Sequence, residues 1–226
     1  MATGFQRARS DEQRAARSQA ILDAAASMLE EMTVAELSLN ALSRRVGLAK
    51  SNVLRYFDSR EAVLLELLYG LLREWVAHLA DELPGAVDRQ DAFVRRAEQL
   101  AQAIAASLEA RPVLCDLIST QAAVLEHNVS VEAVTTHKLR GLEQGQIICG
   151  LILDALPELS EDDAWKYLLT VWTMASAFWP LTCAPEALVQ AYAADERLAR
   201  TNVEFADALA DSLTTVAVGL HARATL

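Results

Sequence analysis

Glycine and proline are scarce in this chain of 226 residues, at 8 and 5, and cysteine is scarcer still, at 3. So few turn formers, in a chain dominated by alanine and leucine, exclude the many short strands of an all-β protein and predict an all-α one. Cys115, Cys149 and Cys183 are odd in number and far apart. They provide neither a disulfide framework nor a zinc spacing, and they fit a reducing, cytoplasmic setting. No apolar run approaches about 18 residues, so no membrane partner is expected. Met1–Arg17 has no apolar centre of the kind a signal peptide needs. A nucleophile elbow, a glycine-rich phosphate loop and an H-E-x-x-H pair are all missing, so no enzyme is expected and no cofactor is called for. His127 and His137 stand ten apart, which is not a same-face helical spacing, and suggest no metal site.

Apolar residues make up 53% of the chain, enough for a full core in one large domain or two small ones. The net charge of −11 argues against a nucleic-acid partner only until its distribution is read. Residues 1–60 carry nine Lys/Arg and seven Asp/Glu, whereas residues 61–226 carry eleven and twenty-four. Between Ser38 and Arg60 five basic residues stand against one acidic. A local basic patch, not the overall charge, governs binding to phosphate, and an acidic remainder helps orient that patch toward DNA.

The stretch Ser38–Glu61, SLNALSRRVGLAKSNVLRYFDSRE, carries the patch and a pattern. Leu39, Leu42 and Val46 share one helical face, Gly47 supplies a turn, Leu48 packs inward as the chain reverses, and Val53 and Phe57 give the inner face of a second helix. Ser43 is small enough for the helices to cross closely. The pattern is that of a helix-turn-helix whose second helix enters a major groove. Before it, Met1–Ser10 reads as a flexible arm and Asp11–Met32 as a first helix with Ile21, Ala25, Met28, Leu29 and Met32 inward. After it, Asp58 and Glu61 make a D-x-x-E capping box, with Ser59 as a rival cap, for a long helix to about Leu83 that Pro84-Gly85 stops. Further helices are predicted near 89–110, 112–127, 131–156, 161–182 and 195–222, with 185–194 a linker. Ser160 with Asp163 has capping-box spacing. The domain reading is residues 1–60 for DNA binding and 61–226 for a helical remainder.

This arrangement resembles the tetracycline-repressor (TetR) family of bacterial transcription regulators. The resemblance rests on L-x-x-L-S-R-R-V-G-L, on K-S-N-V-L-R-Y-F and on F-D-S-R-E leading into a long helix. It implies a three-helix DNA-binding domain followed by a helical ligand-binding and dimerisation domain. It also implies a homodimer on double-stranded operator DNA and a small-molecule effector that shifts the protein off its operator. A repressor is the expected direction. The rival readings are an activator or architectural binder without effector, and a helical interaction or enzymatic module with a vestigial DNA-binding unit. Ala49 stands where the family usually has a capping Ser, and Leu54 where a phosphate-contacting Tyr is frequent, so no contact is carried to Leu54.

The candidate DNA contacts are Arg44, Arg45, Lys50, Ser51, Asn52, Arg55, Tyr56 and Arg60. Lys50, Ser51 and Asn52 lie in the first turn of the recognition helix, where side chains reach base edges; arginines fix phosphates or pair with guanine. Arg60 resembles the Lys that many family members place against phosphate. Arg7 and Arg9 read as a loose tail rather than a minor-groove arm. Trp172, Met174, Phe178 and Trp179 crowd one helix and are candidates to line an apolar effector site, with Gln121 and His127 as polar anchors, although such aromatics serve equally as core. The last two long helices, near 161–182 and 195–222, are expected to pair with a second copy in a four-helix bundle, with Leu198, Phe205, Leu209, Leu213, Val216 and Leu220 as its apolar stripe.

Overall fold

The computed structural model describes residues 2–182, 185–199 and 201–224, with side chains from residue 12 on except those of residues 196 and 199. Cys183 and the side chains of Arg7 and Arg9 lie outside the described residues. The described chain is helical, without a strand, and forms two compact units. One comprises Met1–Gly70 with Thr120–Lys138, the other Leu71–Ser119 with Leu139–Leu226.

In the first unit, α1 (Ala2–Leu29), α2 (Leu39–Arg45), the single turn α3 (Lys50–Val53) and the start of α4 (Arg60–Ala86) enclose a small core. Ile21, Ala25, Met28 and Leu29 come from one face of α1, and Leu42, Val53, Phe57, Val63, Leu64 and Leu68 close it. The expected inward faces of the helix-turn-helix are therefore found, with Leu39, Val46 and Leu48 half-buried at its rim. Ser38 caps α2, its Oγ accepting from Ala41 N–H at 3.1 Å. Gly47 sits at φ +67°, where a Cβ would be strained, and the Leu48 N–H then bonds back to the Ser43 carbonyl at 2.9 Å. Ser43 is buried, its hydroxyl turned onto Asn40 O at 3.0 Å, so the crossing is tight and polar-satisfied.

The boundaries differ from the sequence expectation in places, each for a local reason. α1 begins at Ala2 rather than Asp11, because Ala, Gln and Arg are strong helix formers and extend a helix already nucleated. α3 has no side-chain cap at Ala49 and stays one turn long, continuing through Phe57 as turns. The rival cap prevails at α4: Ser59 Oγ accepts from Ala62 N–H at 3.0 Å. Pro84-Gly85 delays rather than stops α4, which carries Pro84 in its last turn.

In the second unit, the rest of α4 packs with α5 (Phe93–Glu109), α6 (Pro112–Thr120), the rest of α7 (Val131–Ala155), α8 (Glu161–Thr182) and α11 (Phe205–Ala224). α5 starts later than residue 89 because an Asx turn intervenes, Gln90 N–H bonding Asp88 Oδ1 at 2.9 Å. The span expected as a linker forms α9 (Glu186–Ala194), its alanines favouring the helix; the short α10 (Glu196–Ala199) follows before α11. Ser160 caps α8 through Asp163 N–H at 3.2 Å. Trp75 is fully buried and donates its Nε1–H to Ser107 Oγ at 2.9 Å. Arg96 is 6% exposed and binds α5 to the end of α7: it donates to Ala155 O at 2.7 Å and Asp91 O at 3.1 Å and pairs with Glu158.

One expectation needs correction here. α11 packs on α5 and α8, and this buries Phe205, Leu209, Leu213 and Leu220 inside their own unit. Those four residues are core, so the stripe is not free for a second copy. Val216 is half-buried, and Leu198 is exposed on α10.

Candidate nucleic-acid interface

The outward side of α2 and α3 holds the candidate DNA contacts together. Arg44, Lys50, Ser51, Asn52 and Arg55 are exposed and Tyr56 is half-buried, all within a dozen or so residues around the Gly47 turn. Among the described residues, no carboxylate lies within ion-pair distance of Arg44, Lys50 or Arg55. Unneutralised donors on a short exposed turn leave this side of the unit locally positive.

Two members of the set are engaged within the protein. Arg45 is exposed but forks onto Glu31 in the turn after α1, at 2.8 and 3.3 Å. The hydrogen bonds and charge of Arg45 hold the Glu31 carboxyl below its ordinary range, and Glu31 in turn raises the Arg45 guanidinium. Arg60 is largely covered: it donates to the Val34 carbonyl, and its Nη1 lies 3.4 Å from Glu61. It braces the start of α4 against the α1–α2 connection, a role that a surface phosphate contact does not require.

Two arginines that the sequence reading passed over join this surface. Gln13, Arg14 and Arg17 of α1 line an open cleft of about 360 Å³ with Arg55 and Tyr56. The signal was available, since Arg14 and Arg17 are three apart on a helix and share a face. What was missing was the knowledge that this face of α1 adjoins the end of α3.

The candidate effector residues are dispersed. Gln121 opens one turn of π-helix (Gln121–Leu125), a form often found at functional sites. Its amide donates to Glu126 Oε1 at 2.7 Å and reaches His137 Nε2 at 3.2 Å, while Lys138 Nζ bonds the same Glu126 oxygen at 2.5 Å. Burial pulls the Glu126 carboxyl upward, but the hydrogen bonds from Lys138 and Gln121 outweigh it and leave it below its ordinary value. Burial also pushes the His137 imidazole down. His127, by contrast, is exposed. On α8, Met174 and Phe178 flank the buried face of Val171 and Ala175 on one side and Trp172 and Trp179 flank it on the other, all four half-buried, while Trp165 and Leu169 lie further out at 38% and 66% exposed. Trp179 also meets Phe205 edge-on at 5.2 Å between centroids. The four therefore line both flanks of one buried face.

Comparison with known proteins agrees with this geometry. Residues 21–67 match the family model described as bacterial regulatory proteins, tetR family, and residues 70–224 match that of the tetracyclin repressor-like C-terminal domain. A TetR transcriptional regulator from Rhodococcus sp. RHA1 shares the fold, with a TM-score of 0.58 and 13% identity over 91% of this chain and 94% of that one. No curated protein matched. No helix among the described residues is long and apolar enough to cross a membrane. The helix-turn-helix, the all-helical fold and the two family matches, which together span most of the chain, place this protein in the tetracycline-repressor family of DNA-binding transcription regulators.

Proposed function

We propose that this protein is a cytoplasmic, ligand-responsive repressor that binds its operator as a homodimer and leaves it when an apolar small molecule binds. In this reading, residues 1–60 hold the DNA and residues 61–226 hold the effector and the partner copy. The observation that carries it is the exposed, unneutralised donor set on α2 and α3. Lys50, Ser51 and Asn52 read base edges, Arg44, Arg55 and Tyr56 fix the backbone, and Arg45 joins them when it leaves Glu31. Arg60 acts through the fold, by positioning the start of α4. The second copy docks on the outer face of α8, where Leu169 and part of Trp165 leave apolar surface uncovered. Met174 and Phe178, half-buried beside the covered face of α8, are the better candidates for contact with the effector. The effector carries no strong negative charge, because residues 61–226 have eleven basic side chains against twenty-four acidic.

The test begins with recovery of genomic fragments bound by the purified dimer. Lys50→Ala and Arg55→Ala each weaken binding to the recovered fragment by roughly tenfold to a hundredfold with helicity retained, and Lys50→Ala also relaxes its sequence preference. Apolar compounds that quench tryptophan fluorescence release the fragment. Unchanged affinity in both variants defeats the recognition assignment, and release only by nucleotides or sugar phosphates defeats the effector class.

A further inference from the structure

The cleft between α1 and α3 gathers three guanidinium groups, a phenol and an amide, from Arg14, Arg17, Arg55, Tyr56 and Gln13. The three arginines are exposed, and among the described residues none has a carboxylate within ion-pair distance. Three like charges converging with no carboxylate beside them among the described residues repel one another, so the arrangement favours an anion brought from outside. Guanidinium forks present paired donors that match the oxygens of a phosphate, and a phenol adds another. A cleft of about 360 Å³ leaves room for such a group with water around it. Its position selects the source: Arg55 and Tyr56 follow directly on the α3 turn, so an anion seated here borders whatever α3 enters.

We infer that Arg14 and Arg17 of α1 form, with Arg55 and Tyr56, a clamp for one backbone phosphate of the DNA that α3 enters. This rests on the DNA-binding reading above and extends it to a helix outside the helix-turn-helix. The clamp fixes register and adds affinity; it reads no bases, because a phosphate is the same at every step.

The experiment follows fluorescence anisotropy of two labelled duplexes, a recovered genomic fragment and an unrelated sequence of equal length, across a range of salt. The variant is Arg14→Gln with Arg17→Gln, in which glutamine keeps helix propensity and the exposed sites impose no packing change. Loss of one phosphate contact flattens the slope of log affinity against log salt by about one, and weakens both duplexes roughly eightfold at about 0.1 M salt. The ratio of the two affinities stays as in the unsubstituted protein. Arg14→Lys with Arg17→Lys retains the slope, since lysine keeps the charge. An unchanged slope and affinity in the glutamine variant would overturn the clamp, as would a loss confined to the genomic fragment, which marks base readers instead. If the unsubstituted protein binds neither duplex at low salt, the DNA-binding reading itself falls, and the clamp with it.

Discussion

Leu209→Ala and Leu169→Glu separate folding from association, because the two leucines lie on opposite sides of the same problem. Leu209 is 0% exposed on α11, which packs on α5 and α8. Truncation removes three carbon atoms from a filled core and leaves a cavity that rigid helices close only in part. Such substitutions cost about 2–5 kcal/mol, and a fully buried site with helices on two sides belongs near the middle of that range, at about 3 kcal/mol. For a chain of this size each kcal/mol lowers Tm by roughly 2–4 °C, so Tm falls by roughly 6–12 °C. Leu169 is 66% exposed on α8, and glutamate there keeps helix propensity while placing two charges face to face in the proposed dimer. Its helicity is unchanged and its sedimentation is that of a monomer at micromolar concentration. Its Tm loses the concentration dependence that a dimer shows. Thermal melting by circular dichroism and sedimentation equilibrium read both. A Leu209→Ala protein melting within about 2 °C of the parent would refute the burial argument, and a Leu169→Glu protein that remains dimeric would refute the docking face.

Three further outcomes are expected. Glu31→Gln frees Arg45 from its fork and removes a negative charge beside the donor set, so affinity for DNA rises by roughly twofold to fivefold, and the gain fades at high salt; weaker binding would show that the pair orders the interface. Arg60→Ala removes the donor on the Val34 carbonyl and lowers stability by about 1–3 kcal/mol in urea melts, whatever it does to DNA binding; full stability with lost binding would make Arg60 a contact after all. Burial raises the Cys115 thiol from its usual 9.0 to about 12, so between those values the unfolded thiol ionises and the native one does not. The native state therefore holds its full stability below pH 9 and loses roughly 1.4 kcal/mol per pH unit above it through this group, a loss that Cys115→Ala abolishes. An alkylating reagent that modifies native Cys115 rapidly at pH 8 would contradict its burial.

The inward pattern of the helix-turn-helix was legible residue by residue. Leu42, Val53 and Phe57 are buried where helical spacing put them, and Gly47 takes the left-handed turn that its lack of a Cβ permits. The span of α8 was legible too, from Ser160 at one end to Thr182 at the other, because a cap and a long run of helix formers are local facts. The α11 stripe was legible as apolar but not by destination. Phe205, Leu209, Leu213 and Leu220 look the same in sequence whether they meet α5 and α8 or a second chain.

What the sequence determined by itself is whatever depends on near neighbours: the all-helical class, the turn at Gly47, the basic character of residues 38–60, and the family that these motifs mark. What only the tertiary structure decided is whatever depends on residues far apart in the chain. Arg60 became a brace because Val34 lies beside it, and Arg45 became a paired charge because Glu31 does. Arg14 and Arg17 share a cleft with Arg55 and Tyr56 because α1 runs past the end of α3. Capping, propensity and periodicity act over one or two turns of chain. Burial, ion pairing and convergence act through space, and the distances that govern them come into being only when the helices pack.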